Sequence, residues 1–117
     1  MGVPRFTPAR LFDSPRAFGR SKSAQPLSPS GLSRVEAAWA WYQHRTCLAV
    51  HAELAAQQLS VAEFARGLGA DLAWLTRKLH GQAPASLGDL LEWSLFLRVQ
   101  ILPIVTSPTD LLPPGIR

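Results

Sequence analysis

Between Leu59 and Trp93 the chain carries three helix starts and two helix stops, so closely spaced that few architectures can accommodate them. Ser60 stands three residues before Glu63, the pattern of a reciprocal capping box. Phe64, Ala65 and Leu68 then recur at helical spacing and mark one apolar face. Gly69 can take the left-handed conformation that ends a helix. Asp71 is a good N-cap for a second helix, Leu72–Leu79, and Gly81 closes it. Ser86 with Asp89 opens a third. The spacing predicts a helix, a tight turn, a second helix, a loop and a third helix. Each local choice agrees with its neighbours.

These residues resemble the lambda-repressor/Cro-like (XRE) family of helix-turn-helix proteins. The resemblance rests on Leu59-Ser60, Glu63-Phe64-Ala65, Leu68-Gly69, Trp74-Leu75-Thr76-Arg77 and Gly81, and it covers roughly residues 48 to 99. The run from Trp74 to Gly81 is similar to an actinobacterial variant of that family, and Pro84 to Leu91 supplies the usual fourth helix. The resemblance implies that Leu72–Leu79 lies in the major groove of double-stranded DNA. Its outer face would be Asp71, Leu72, Ala73, Thr76, Arg77 and His80. Arg77 would make a bidentate contact to guanine, Thr76 would meet a phosphate or a thymine methyl, and Lys78 and Arg66 would hold phosphates. The chain departs from the family pattern at Val61, where a Gln is frequent, and at Lys78, where an apolar, packed residue is usual.

Charge divides the molecule. Residues 1–34 hold six of the twelve basic side chains and one of the eight acidic ones, a net of +5; the remainder holds six basic and seven acidic. Phosphate neutralisation drives most non-specific DNA affinity, so a nearly neutral folded part needs its few cations clustered. The basic N-terminal segment also holds Pro4, Pro8, Pro15, Pro26 and Pro29. It reads as a disordered tail over residues 1–31. Within it Phe6, Phe12 and Phe18 recur at intervals of six, each near an arginine. Such a tail suits an arm that enters a minor groove, a peptide that docks on a partner, or an unstructured extension. It lacks the continuous apolar stretch of a secretory signal.

Next comes a long predicted helix from Arg34 to about Gln58, opened by Ser33 and Glu36 as a capping box. Its apolar face is expected to be Val35, Ala38, Trp39, Tyr42, Leu48, Ala49, Ala52 and Ala55. At about 1.5 Å per residue it spans roughly 37 Å, leaving Trp39, Trp41 and Tyr42 to pack on the C-terminal helix or on a second subunit. In the helix after Ser86, Leu87, Leu90, Leu91, Ser94 and Leu95 are expected to face inward, with Trp93, Phe96 and Leu97 widening the apolar surface. Val99 to Val105 reads as an extended segment that pads the core or pairs with a partner. Prolines 103, 108, 113 and 114 exclude a long helix beyond it. The expected organisation is therefore a folded domain over residues 32–105 and a Pro-rich C-terminal tail over 106–117.

Sites for chemistry are sparse. His44, Cys47 and His51 share one side of the long helix, yet i to i+7 is about 10.5 Å of rise, so at most two of them can share a metal ion. Asp89 and Glu92, three residues apart, read as a solvated face. No phosphate-cradling glycine loop and no nucleophile–base spacing is present, so no enzyme, cofactor or metal is expected. The apolar runs fall far short of the ~20 residues of a membrane span. A single Cys47 excludes an internal disulfide and fits a reducing cytoplasm. The sequence reading is an all-α helix-turn-helix domain of four to five helices with a long first helix. It is expected to act as a homodimeric, cytoplasmic, nucleoid-associated DNA-binding regulator, read out by Leu72, Ala73, Thr76, Arg77, Lys78, His80 and Arg66. The competing reading is the same fold used as a protein-interaction module.

Overall fold

A computed structural model describes residues 6–22, 24–26 and 33–114. Four helices carry the fold: α1 (Arg34–Ala56), α2 (Val61–Leu68), α3 (Leu72–Leu79) and α4 (Leu87–Leu97). Among the described residues there is no strand, only an isolated bridge between Phe12 and Pro26. The predicted caps form. Ser33, Ser60 and Ser86 make reciprocal capping boxes with Glu36, Glu63 and Asp89, and the Asp71 carboxylate accepts from the Trp74 N–H. Gly69 at φ +68° ends α2, and a three-residue connection leads into α3. Each cap satisfies backbone donors that a helix start otherwise leaves to water.

Both flanking segments, expected to lie outside a domain of residues 32–105, carry side chains buried in the core. From Phe6 to Lys22 the chain forms a strap along the helices. Short 3-10 turns at Pro8–Leu11 and Pro15–Ala17 bury Ala9, Leu11, Phe12 and Phe18 in the core. Two proline-started turns need few hydrogen bonds, and three large apolar side chains outweigh the ordering of a short segment. After α4, Ile101 is buried, a third 3-10 turn spans Pro108–Leu111, and Leu112 is buried. Residues 1–5, 23, 27–32 and 115–117 lie outside the described residues.

Because the strap covers α1, the helix buries a different side from the expected one. Its core positions are Ala37, Ala40, Gln43, His44, Thr46, Cys47, Val50 and Leu54, whereas Val35 and Trp39 are exposed. In α4 the core positions are Leu90, Trp93 and Leu97. Leu87, Leu91 and Leu95, expected to face inward, lie exposed. A helix that is apolar nearly all round does not fix its own rotation. Packing decides, and here Phe64 of α2 meets Trp93 and Phe96.

Candidate nucleic-acid interface

Gln43 is fully buried and holds the loop between α3 and α4. Its amide donates to the carbonyls of Lys78 (2.8 Å) and Ala83 (3.1 Å), and its oxygen accepts from the Ala85 N–H (2.8 Å). Trp39 Nε1 adds a 2.8 Å bond to the Ala85 carbonyl. These bonds fix the C-terminal end of α3 against α1, which sets where the α3 outer face points.

The strap docks at that same end. The Ala9 N–H donates to the Gly81 carbonyl at 2.9 Å. The Gly19 N–H donates to His44 Nδ1 at 2.7 Å, and the Gly19 carbonyl accepts from His51 Nδ1 at 2.9 Å. Nδ1 of His51 must carry the hydrogen, since its other close neighbour is also a carbonyl, that of Cys47. His44 and His51, which share a helix side with Cys47, therefore form the seat of the strap. Burial, helped by the Arg45 charge, lowers His44 from the ordinary 6.5 to about 4, so it accepts as a neutral ring. Burial raises the Cys47 thiol and leaves it protonated. Two glycines interlock across this contact. A Cβ on Gly19 (φ +67°) would lie 2.7 Å from Cys47 Cβ and 2.8 Å from the Leu79 carbonyl oxygen; one on Gly81 (φ +72°) would strike the Phe18 ring at 2.6 Å.

The residues expected on the reading helix separate into three groups. Leu72, Ala73 and Arg77 are exposed, and Thr76 is half-buried beside them. Spacings of four and three residues put Ala73, Arg77 and His80 on one stripe. Lys78 faces inward. Its side chain is 13% exposed and its Nζ lies 2.8 Å from Asp89 Oδ2 on α4. Burial works against the Asp89 charge, but the Lys78 hydrogen bond and the Ser86 N–H hold its carboxyl below the usual range. That ion pair explains how a lysine occupies a position suited to an apolar residue. Arg66 is exposed in the last turn of α2, apart from the α3 stripe. Trp74, 43% exposed, has Arg77 Cζ 5.2 Å and Lys78 Nζ 5.0 Å from its ring centroid, so Arg77 has a flat surface to rest on.

Sequence reasoning missed the residues the strap adds at the end of this stripe. Arg20 Nη2 lies 2.7 Å from His80 Nε2 and 3.1 Å from Nδ1. A guanidinium only donates, so His80 must be neutral. Burial, then the charges of Arg20 and His51, lower its pKa accordingly. Arg16, Arg20, His80 and Gln82, with Ala9 and Pro15, line a cavity of about 130 Å³. The available signal was the Phe6–Phe12–Phe18 spacing, with an arginine near each phenylalanine in the sequence. A second depression, about 600 Å³ and apolar, runs between α1 and α4, lined by Val35, Trp39, Tyr42, Leu87, Leu90 and Leu111 among others. No helix among the described residues is long and apolar enough to cross a membrane. Comparison of the chain with family models, with curated proteins and with solved structures finds no match.

Proposed function

We propose that this protein binds double-stranded DNA sequence-specifically as a transcriptional regulator, with α3 in the major groove. The observation that carries this reading is the clustering of cations at one end of the α3 outer stripe. A core near neutrality binds DNA weakly unless its cations converge. The folded strap brings Arg16 and Arg20 to His80, on the stripe that carries Ala73 and Arg77. In this reading Arg77 and Thr76 contact base edges, with Ala73 and Leu72 as apolar contacts, Arg66 meets the backbone, and Lys78 supports α3 through Asp89. Two copies would pair through the exposed α4 leucines 87, 91 and 95, which lie four residues apart on one stripe. Selection from a random duplex pool with the full chain tests the reading: an enriched sequence is expected, and its loss of preference in Arg77→Ala. Absence of any enriched sequence overturns it. The strap is part of the core, so the test uses the whole chain rather than a fragment starting at residue 32.

The second reading, a protein-docking module, is favoured by the same apolar surfaces. Leu72 and Trp74 are 45% and 43% exposed on α3. Under that reading Leu72→Asp abolishes partner capture while Arg77→Ala is silent.

A further inference from the structure

The cavity between the strap and the C-terminal end of α3 has a lining with one chemical bias. It is lined by two arginines, a histidine and a glutamine, with Ala9 and Pro15, and by no acidic residue. Arg16 and Arg20 are both exposed, and neither is within ion-pair distance of a carboxylate among the described residues. Two unneutralised guanidinium groups sharing one small cavity repel each other and any metal cation. An anion between them removes that repulsion and accepts their fixed fork of donors. The size selects further. About 130 Å³ is below the ~300–1,000 Å³ of sites that enclose drug-sized ligands, and it suits a small oxyanion reached from the open side. Donors arriving separately from Arg16, Arg20 and Gln82 suit a group with several oxygens rather than a flat carboxylate, which one guanidinium satisfies alone.

We propose that Arg16, Arg20, His80 and Gln82 form a binding site for a phosphoryl group, and that the group it takes is a backbone phosphate of the bound nucleic acid. The choice of a backbone phosphate rests on the DNA-binding reading above; the phosphoryl site itself does not. Position supports that choice: the cavity lies at the end of the Ala73–Arg77–His80 stripe, where the backbone beside a groove-bound helix passes. His80 is the sensor of occupancy. It now accepts from Arg20 as a neutral ring; with an anion in the cavity Arg20 turns its donors to the oxygens and His80 gains the proton.

The test begins with inorganic phosphate titrated into the full chain at constant ionic strength, followed by the His80 ring resonances. A saturable shift is expected, with sodium chloride at matched strength giving none. It should weaken at least tenfold in the R16Q/R20Q double variant, with an unchanged thermal melt as the check that the fold is kept. The His80→Gln variant, which leaves both guanidinium groups in place, should weaken phosphate binding less than R16Q/R20Q. A phosphate response that is absent, or unchanged in R16Q/R20Q, overturns the site. Duplex DNA then identifies the source. For a backbone phosphate, R16Q/R20Q lowers the slope of log affinity against log salt by about 1 without altering sequence preference. An unchanged slope overturns the backbone assignment. Saturable phosphate binding in a chain that binds no duplex overturns the DNA reading and leaves a site for free phosphoryl compounds.

Discussion

The two surface depressions are opposites built on one helix. Both have a wall supplied or fixed by α1, and the loop Ala83–Ala85, pinned by Gln43 and Trp39, stands between them. The smaller is lined by Arg16, Arg20, His80 and Gln82; the larger by Val35, Trp39, Tyr42, Leu87 and Leu90. The small one exists only because a distant segment folds back. The large one exists because Val35 and Trp39 of α1 and Leu87 of α4 stay at the surface above Tyr42 and Leu90. Charge and apolar surface are thus segregated on a small domain. Attraction to an anion and attraction to an apolar partner can be broken separately, and this separation is what mutations can probe.

The largest effect is expected from Gly19→Ala. The new Cβ meets backbone on α3 and a packed side chain on α1 at a positive φ, so the strap must lift. Urea denaturation should report a loss of about 3 kcal/mol or more, and the contact between Arg20 and His80 should vanish from NMR spectra while the apolar groove persists. Gln43→Leu tests the shared wall. It strips partners from two buried carbonyls and one N–H, and a loss of roughly 2–4 kcal/mol is expected, with both depressions deformed. Arg77→Ala should leave stability within about 0.5 kcal/mol yet cost roughly 1–3 kcal/mol of discrimination between target and random duplex; equal discrimination by both proteins would remove Arg77 as a reader. Leu95→Asp, at a side chain 78% exposed, should scarcely alter the melt but reduce self-association in sedimentation equilibrium. An unchanged association constant would remove the α4 leucine stripe from dimer formation.

On mild acidification, the strap side should respond first. The folded-state pKa of His44 lies at about 4, below the ordinary 6.5. Above 6.5 the ring is neutral in both states, and its contribution is fully present. As pH falls from 6.5 toward 4 the unfolded chain takes up a proton that the folded chain refuses, so stability declines across that window. In His44→Phe the decline should flatten, whatever the change at neutral pH.

What was legible in the sequence was local. Ser33, Ser60, Asp71 and Ser86 cap helices because a hydroxyl or carboxylate reaches an N–H two or three residues away, and Gly69 ends α2 through its own φ; such events need no knowledge of the rest of the chain. The strap was not legible in this way, since proline-rich, basic composition argues for disorder until one knows that Gly81 leaves room for Phe18. The rotations of α1 and α4 were hidden for a related reason. His44 and Gln43 look like surface residues until the carbonyls and amides they serve are placed beside them, and α4 is apolar nearly all round. At the candidate interface, Arg77 and His80 could be read from helical spacing. Arg16 and Arg20 needed a contact across some sixty residues, and the inward turn of Lys78 needed Asp89 on another helix.

The hydrogen bond from Ala9 to Gly81 joins positions 72 residues apart. Closing so long a loop costs chain entropy before any packing rewards it. On the ribosome the strap therefore emerges first but waits for α3 before it has a seat, and in the finished domain it is the element expected to open before the helices do. Hydrogen exchange at the Ala9 and Gly19 amides reads that opening directly: exchange faster than at the core of α1 marks a strap that unlatches by itself, and equal rates mark one that opens only with the whole domain.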